Sequence, residues 1–111
     1  MSEPTIDMAV FSELQEAAGE EFVAELAGTF FEEAPVMLAE MRAAQAAGNA
    51  DGFRRAAHSL KSNSNTFGAT RLGEMARDIE LGGLVPDAAL VDALEAQYQR
   101  AATALRGLTG G

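Results

Sequence analysis

ADGFRRAAHSLKSNSNTF, residues 50–67, is the stretch on which the fold turns. Advancing about 100° per residue from His58 places Phe53, Ala56, Ala57, Leu60, Ser64 and Phe67 within one arc of roughly 160–260°. Apolar and small residues on one side and charged ones on the other define an amphipathic helix with a buried face. His58, the only histidine of the chain, lies opposite that face and is expected to project into solvent.

Outward from this helix the same period recurs. A short segment at about 6–17 carries Ile6, Val10 or Phe11, and Leu14 at helical spacing, and Ala18-Gly19 ends it. A long segment at about 20–46 sets Phe22, Leu26, Phe30, Met37, Met41 and Ala44 on one face. Pro35 removes a backbone donor within it and predicts a kink rather than a break, because the apolar register continues beyond. Gly48-Asn49-Ala50-Asp51 is a turn, with Asn49 as the N-cap of the central helix. Gly68 marks the next turn. Leu72, Met75, Ala76 and Ile79 define a helix at about 70–82, and Gly82-Gly83 closes it. Pro86-Asp87 opens a last helix striped by Val91, Leu94, Tyr98, Ala101 or Ala102, and Leu105. The reading is all-α: an antiparallel up-down four-helix bundle with a short extra N-terminal helix. One domain fills residues 1–111, its ordered core spans about 6–106, and 107–111 form a flexible tail.

Composition narrows the function. With no cysteine and one histidine among 111 residues, disulfides and thiolate metal sites are excluded and a zinc site lacks ligands. No metal or cofactor is expected. A net charge of −9 argues against nucleic acid as partner. No apolar run approaches the roughly 20 residues of a membrane span. MSEPTID has no basic segment followed by an apolar one, so a cytoplasmic protein is expected. The initiator methionine and glycine-rich end read as a complete small protein, and no surplus apolar face remains once the bundle is built, which reads as a monomer.

The charges are unevenly spread. Residues 1–41 hold ten acids and no base, whereas all eight bases fall in residues 42–111. Arg54, Arg55, Lys61, Ser62 and Asn65 lie within about 60° of His58 on the helical wheel. A positive spot around an exposed imidazole suits a transient anion on the ring or a negatively charged partner. Along the helix the nearest acid is Asp51, seven residues away, so no orienting acid for a hydrolytic triad is found. Neither GxxxxGK[ST] nor GxGxxG occurs, so the chain is not expected to phosphorylate itself from ATP. What remains is covalent chemistry on His58. A neutral imidazole is a competent nucleophile toward phosphorus, and the Lys61 ammonium three residues on can neutralise phosphoryl oxygens. Phosphoryl transfer is mostly positioning and charge compensation, so little else is needed on this chain.

His58-Ser59-Leu60-Lys61, Ser64 and Gly68-Ala69 resemble the HxLKGxSxxxGA signature of histidine-containing phosphotransfer (HPt) domains. RRAAHSLK and EEAP at 32–35 are similar to the same family. The resemblance implies a four-helix bundle in which His58 accepts a phosphoryl group from a receiver-domain aspartate, typically of a hybrid sensor histidine kinase. His58 then passes it to the aspartate of a response regulator. It further implies that Lys61 stabilises the phosphoryl group and that Gly68-Ala69 let the hairpin helices pack closely. The helix is then expected to run to about Phe67, although the Ser/Asn/Thr run after Lys61 is indifferent to helix. Magnesium and the acidic pocket belong to the receiver. Ser62 departs from the family glycine; its small side chain preserves access and adds a hydroxyl. A receiver-docking patch around the first helix, with Met8 or Phe11, follows by family analogy. Two other readings remain open from the residues: a bundle of this type that docks on receivers or kinases without carrying phosphate, and a domain of a larger histidine kinase.

Overall fold

The computed structural model describes residues 5–110. Residues 1–4, which begin the stretch read for a leader, and residue 111, the end of the expected tail, lie outside them. Among the described residues the chain is all helix: α1 (Met8–Ala18), α2 (Glu20–Ala47), α3 (Ala50–Thr66), α4 (Thr70–Gly82) and α5 (Ala88–Thr109). None of these helices is long and apolar enough to cross a membrane.

Side chains and glycines set the boundaries. Asp7, Asn49 and Asp87 each accept a backbone N–H of the following helix, from Ala9, Gly52 and Ala89 at 3.0, 2.9 and 2.9 Å, satisfying donors the first turn leaves free. The first helix therefore begins at Met8 rather than about residue 6, and Ile6 is buried ahead of its cap. Gly19, with φ +91°, both ends α1 and starts α2. Gly48, with φ +68°, takes the left-handed turn that releases α2. Pro35 does not break α2, which is one helix of 28 residues. The tail expected at 107–111 is helical as far as Thr109. Its hydroxyl donates to the Leu105 carbonyl at 2.8 Å, and Gly110 closes the helix in the left-handed conformation.

The helices form a bundle in which α2 packs on α3 and α5, α4 packs on α3 and α5, and α1 lies against α2 and α3. Every residue expected on the inner face of α3 is buried, as is the whole stripe named for α5. The face of α2 is a correction. Val23, Ala27, Phe30, Ala34, Leu38, Met41 and Ala44 are buried, whereas Phe22 is 51 % exposed and Leu26 and Met37 sit at the edge of the core. Small residues occupy the centre of this face because α3 and α5 both approach it, and large side chains are displaced to its flanks. Phe30, Leu38 and Met41 are the large side chains that stay in the face, and Phe30 meets the Phe67 and Tyr98 rings at centroid distances of 5.4 and 5.6 Å. It joins α2 to the α3–α4 turn and to α5. Polar clasps close the rim: Arg42 on α2 reaches Asp92 at 2.7 Å and Glu95 at 2.8 Å on α5, and Gln45 donates to the Val85 and Asp87 carbonyls.

Candidate functional site

His58 projects from the outer face of α3 with its side chain 57 % exposed. The helix continues past it through Ser62-Asn63-Ser64-Asn65-Thr66 because three of these side chains return to the backbone one turn earlier. Asn63 donates to the Ser59 carbonyl at 2.8 Å, Ser64 to that of Leu60 at 2.6 Å, and Thr66 to that of Ser62 at 3.0 Å. Hydroxyls and amides that compete with a helix elsewhere are here turned onto its own carbonyls. Phe67, fully in the core, and Gly68, with φ +80°, end it.

Glu80 of α4 completes the site. One of its carboxylate oxygens, Oε2, lies 2.6 Å from His58 Nδ1, and the other, Oε1, accepts from Lys61 Nζ at 2.8 Å. Glu80 is the most enclosed of the three, at 13 % side-chain exposure, and Lys61 is half-buried beside it. The hydrogen bond from Lys61 holds the Glu80 carboxyl below the usual carboxylate range, and the bond to His58 adds to this against the opposing effect of burial. The contact engages Nδ1 of the ring, and Nε2 makes no side-chain hydrogen bond among the described residues.

Sequence reasoning missed Glu80 because acids were sought along α3 alone. The information was present across the turn. Asn65 lies over Gly73, where a Cβ would collide with its amide. Seven residues, two helical turns, back from Asn65 along α3 and seven forward from Gly73 along α4 arrive at His58 and Glu80. The hairpin that brings glycine under Asn65 therefore brings a carboxylate under the imidazole.

The other expected residues are distributed around this pair. Arg54 and Arg55 are exposed on the His58 side of α3, and both bind Asp51, at 2.6 and 3.2 Å. Ser62 is exposed one turn beyond His58. Asn65 is exposed too, and its amide lies over Gly73 on the α4 side. The basic collar is thus largely paired: three cations face two carboxylates, a surplus of one positive charge. Gly68 has a different neighbour from the one expected. Its carbonyl accepts the Asp7 N–H at 2.7 Å, and a Cβ on it would meet the Asp7 carbonyl, so this glycine seats the start of α1 on the α3–α4 turn. Ala69 beside it is fully buried. Phe11 is buried as well, which leaves Met8 as the exposed member of the pair named for the first helix. No group of three metal-binding side chains occurs among the described residues.

The site is thus an exposed histidine with a lysine one turn away, on the outer face of a helical bundle. The Hpt domain family model matches residues 25–104, well over half of the chain, and this protein belongs to the Hpt family. Histidine phosphotransfer in two-component phosphorelays is the activity of that family. Its members work as transfer modules rather than as enzymes in their own right. No curated protein and no solved structure matches the chain.

Proposed function

We propose that this protein is a phosphorelay intermediate. His58 takes a phosphoryl group from the aspartate of a receiver domain, as in a hybrid histidine kinase, and yields it to the aspartate of a response regulator. The observation that carries this reading is the exposed His58 ring, engaged at Nδ1 and free for chemistry at Nε2, with the Lys61 ammonium one turn away. Lys61 stabilises the phosphoryl oxygens; its ion pair with the carboxylate that also meets the His58 ring supports this reading. Arg54, Arg55 and Ser62, with Asn65 at the edge, form the docking face, and small side chains after Lys61 keep it open. The helices are read as an antiparallel up-down four-helix bundle with α1 as the extra helix. The protein acts as a cytoplasmic monomer and binds no cofactor of its own; magnesium comes with the receiver.

Incubation with a phosphorylated receiver domain tests this. Label is expected on His58 as a base-stable, acid-labile adduct, and His58→Gln is expected to abolish it. Uptake of equal label by the variant assigns the acceptor elsewhere. If no receiver loads the wild-type protein while it still binds receivers, the chain is a docking bundle that carries no phosphate.

A further inference from the structure

Eight basic side chains serve a chain whose net charge is −9, and seven of them have partners. Arg42 binds Asp92 and Glu95, Arg54 and Arg55 bind Asp51, Lys61 binds Glu80, and Arg71 binds Glu74. Arg100 donates to Gln97, and the Arg106 guanidinium lies 4.6 Å from the centre of the Phe31 ring. Arg77, exposed on α4, has no ion pair and no side-chain hydrogen bond among the described residues. Its neighbours on the helix explain this. The acids three residues away on either side, Glu74 and Glu80, are already engaged, the first by Arg71 and the second by Lys61 and His58. Asp78, next in the chain, turns instead toward the groove between α4 and α5.

The unpaired cation lies beside the site. Across the hairpin His58 meets Glu80 and Asn65 lies over Gly73. Three residues forward from His58 and three back from Glu80, the same register sets Arg77 level with Lys61. One turn on from Arg77, about 40° away on the wheel, is Leu81. At 68 % exposure it is the most open large apolar side chain among the described residues. The outer edge of α4 that flanks Glu80 therefore presents a free cation and an uncovered leucine.

We infer that this edge is a docking surface for an acidic receiver domain, a partner supplied by the relay reading on which the inference rests. The receiver reaches His58 from the α4 side, with a carboxylate on Arg77 and an apolar side chain on Leu81. Charge favours this edge over the other approaches. Arg54 and Arg55 must leave Asp51 before they can serve a partner's carboxylate, whereas Arg77 has no bond to break. The first-helix side belongs to residues 1–41, whose ten acids and no base repel an acidic partner. Apolar contact favours it too, because a leucine gains by being covered and the outer face of α3 holds no exposed large apolar side chain.

The test needs no phosphate. Binding of the wild-type protein is measured against a panel of purified receiver domains, and the tightest binder is carried forward. Arg77→Gln is expected to slow association at least about threefold at low ionic strength, with the gap closing as salt is added. Arg71→Gln removes the same charge from α4 about 120° round the helix from Arg77, and is expected to change association by less than about twofold. Leu81→Ser is expected to speed dissociation at least about threefold. All three replace exposed side chains, so melting temperatures are expected to stay at the wild-type value. On 15N-labelled wild-type protein the receiver is expected to shift amides around Arg77 and Leu81 together with those from His58 to Asn65. A footprint on α1 and α3 that leaves α4 untouched overturns the inference. So does a loss in Arg77→Gln no larger than in Arg71→Gln, wild-type dissociation from Leu81→Ser, or a wild-type protein that no receiver binds. Receivers that bind with the α4 footprint yet never load His58 overturn the relay reading instead and leave the docking edge standing.

Discussion

At the scale of single residues, the site consists of one enclosed carboxylate and two groups that depend on it. His58→Gln removes an exposed side chain and is expected to change folding stability by no more than about 0.5 kcal/mol while abolishing phosphoryl uptake. Chemical denaturation beside a labelling assay separates the two effects. Glu80 carries a pH dependence whose sign follows from its partners. Its carboxyl titrates below the ordinary range in the folded protein because Lys61 and His58 donate to it, so the unfolded chain binds the proton more readily. The contribution of Glu80 to stability is therefore complete above the ordinary carboxylate range and lost as pH falls through the lowered folded value. Acid unfolding followed by circular dichroism is expected to show this, with a shallower acid dependence in Glu80→Gln.

Pairs of elements show what was legible in the sequence and what was hidden. The period of α3 located its buried face residue by residue and turned His58 outward, because a single amphipathic helix contains that information. The face of α2 was misread by one position at Phe22. Apolar size was taken as the signal, whereas the face turned to the two neighbouring helices includes Val23, Ala27 and Ala34 beside Phe30, Leu38 and Met41. Glu80 stayed hidden because its relation to His58 exists only once α4 folds back along α3. Two glycines of that hairpin predict opposite outcomes. Gly68→Ala places a Cβ at φ +80° and 2.7 Å from the Asp7 carbonyl, and is expected to cost about 1–3 kcal/mol while loosening α1. At Gly73 the collision is with the exposed end of the Asn65 side chain, which can turn away, and a helix interior gains about 0.5–1 kcal/mol on replacing glycine with alanine. Gly73→Ala is accordingly expected to be neutral or mildly stabilising. Thermal unfolding of both variants, with hydrogen exchange in α1 for the first, checks the contrast.

Over the whole molecule, stability and chemistry are placed in different layers. Phe30, against Phe67 and Tyr98, links three parts of the bundle, and Phe30→Ala is expected to cost about 3–5 kcal/mol, a large share of what a domain possesses. Where the variant remains folded, at low temperature, His58 is expected to accept label at the wild-type rate, since the ring, Lys61 and Glu80 all lie on the outer side of α3 and α4. Melting curves and the labelling rate measured on one sample decide this. The composition foretold the acidic molecule but not the local balance, because the pairing of Arg54 and Arg55 with Asp51, and of Lys61 with Glu80, depends on distances.

That balance has a further effect. Before loading, the five paired groups around His58 sum to one positive charge, on a chain whose total is −9. On the relay reading a phosphoryl group adds about −2 at neutral pH, which outweighs that single positive charge. An acidic partner is then expected to bind the empty carrier more tightly than the loaded one. Loading is expected to loosen the hold of the donor that supplies the phosphoryl group, and affinity across a salt series is expected to fall more steeply for the empty form.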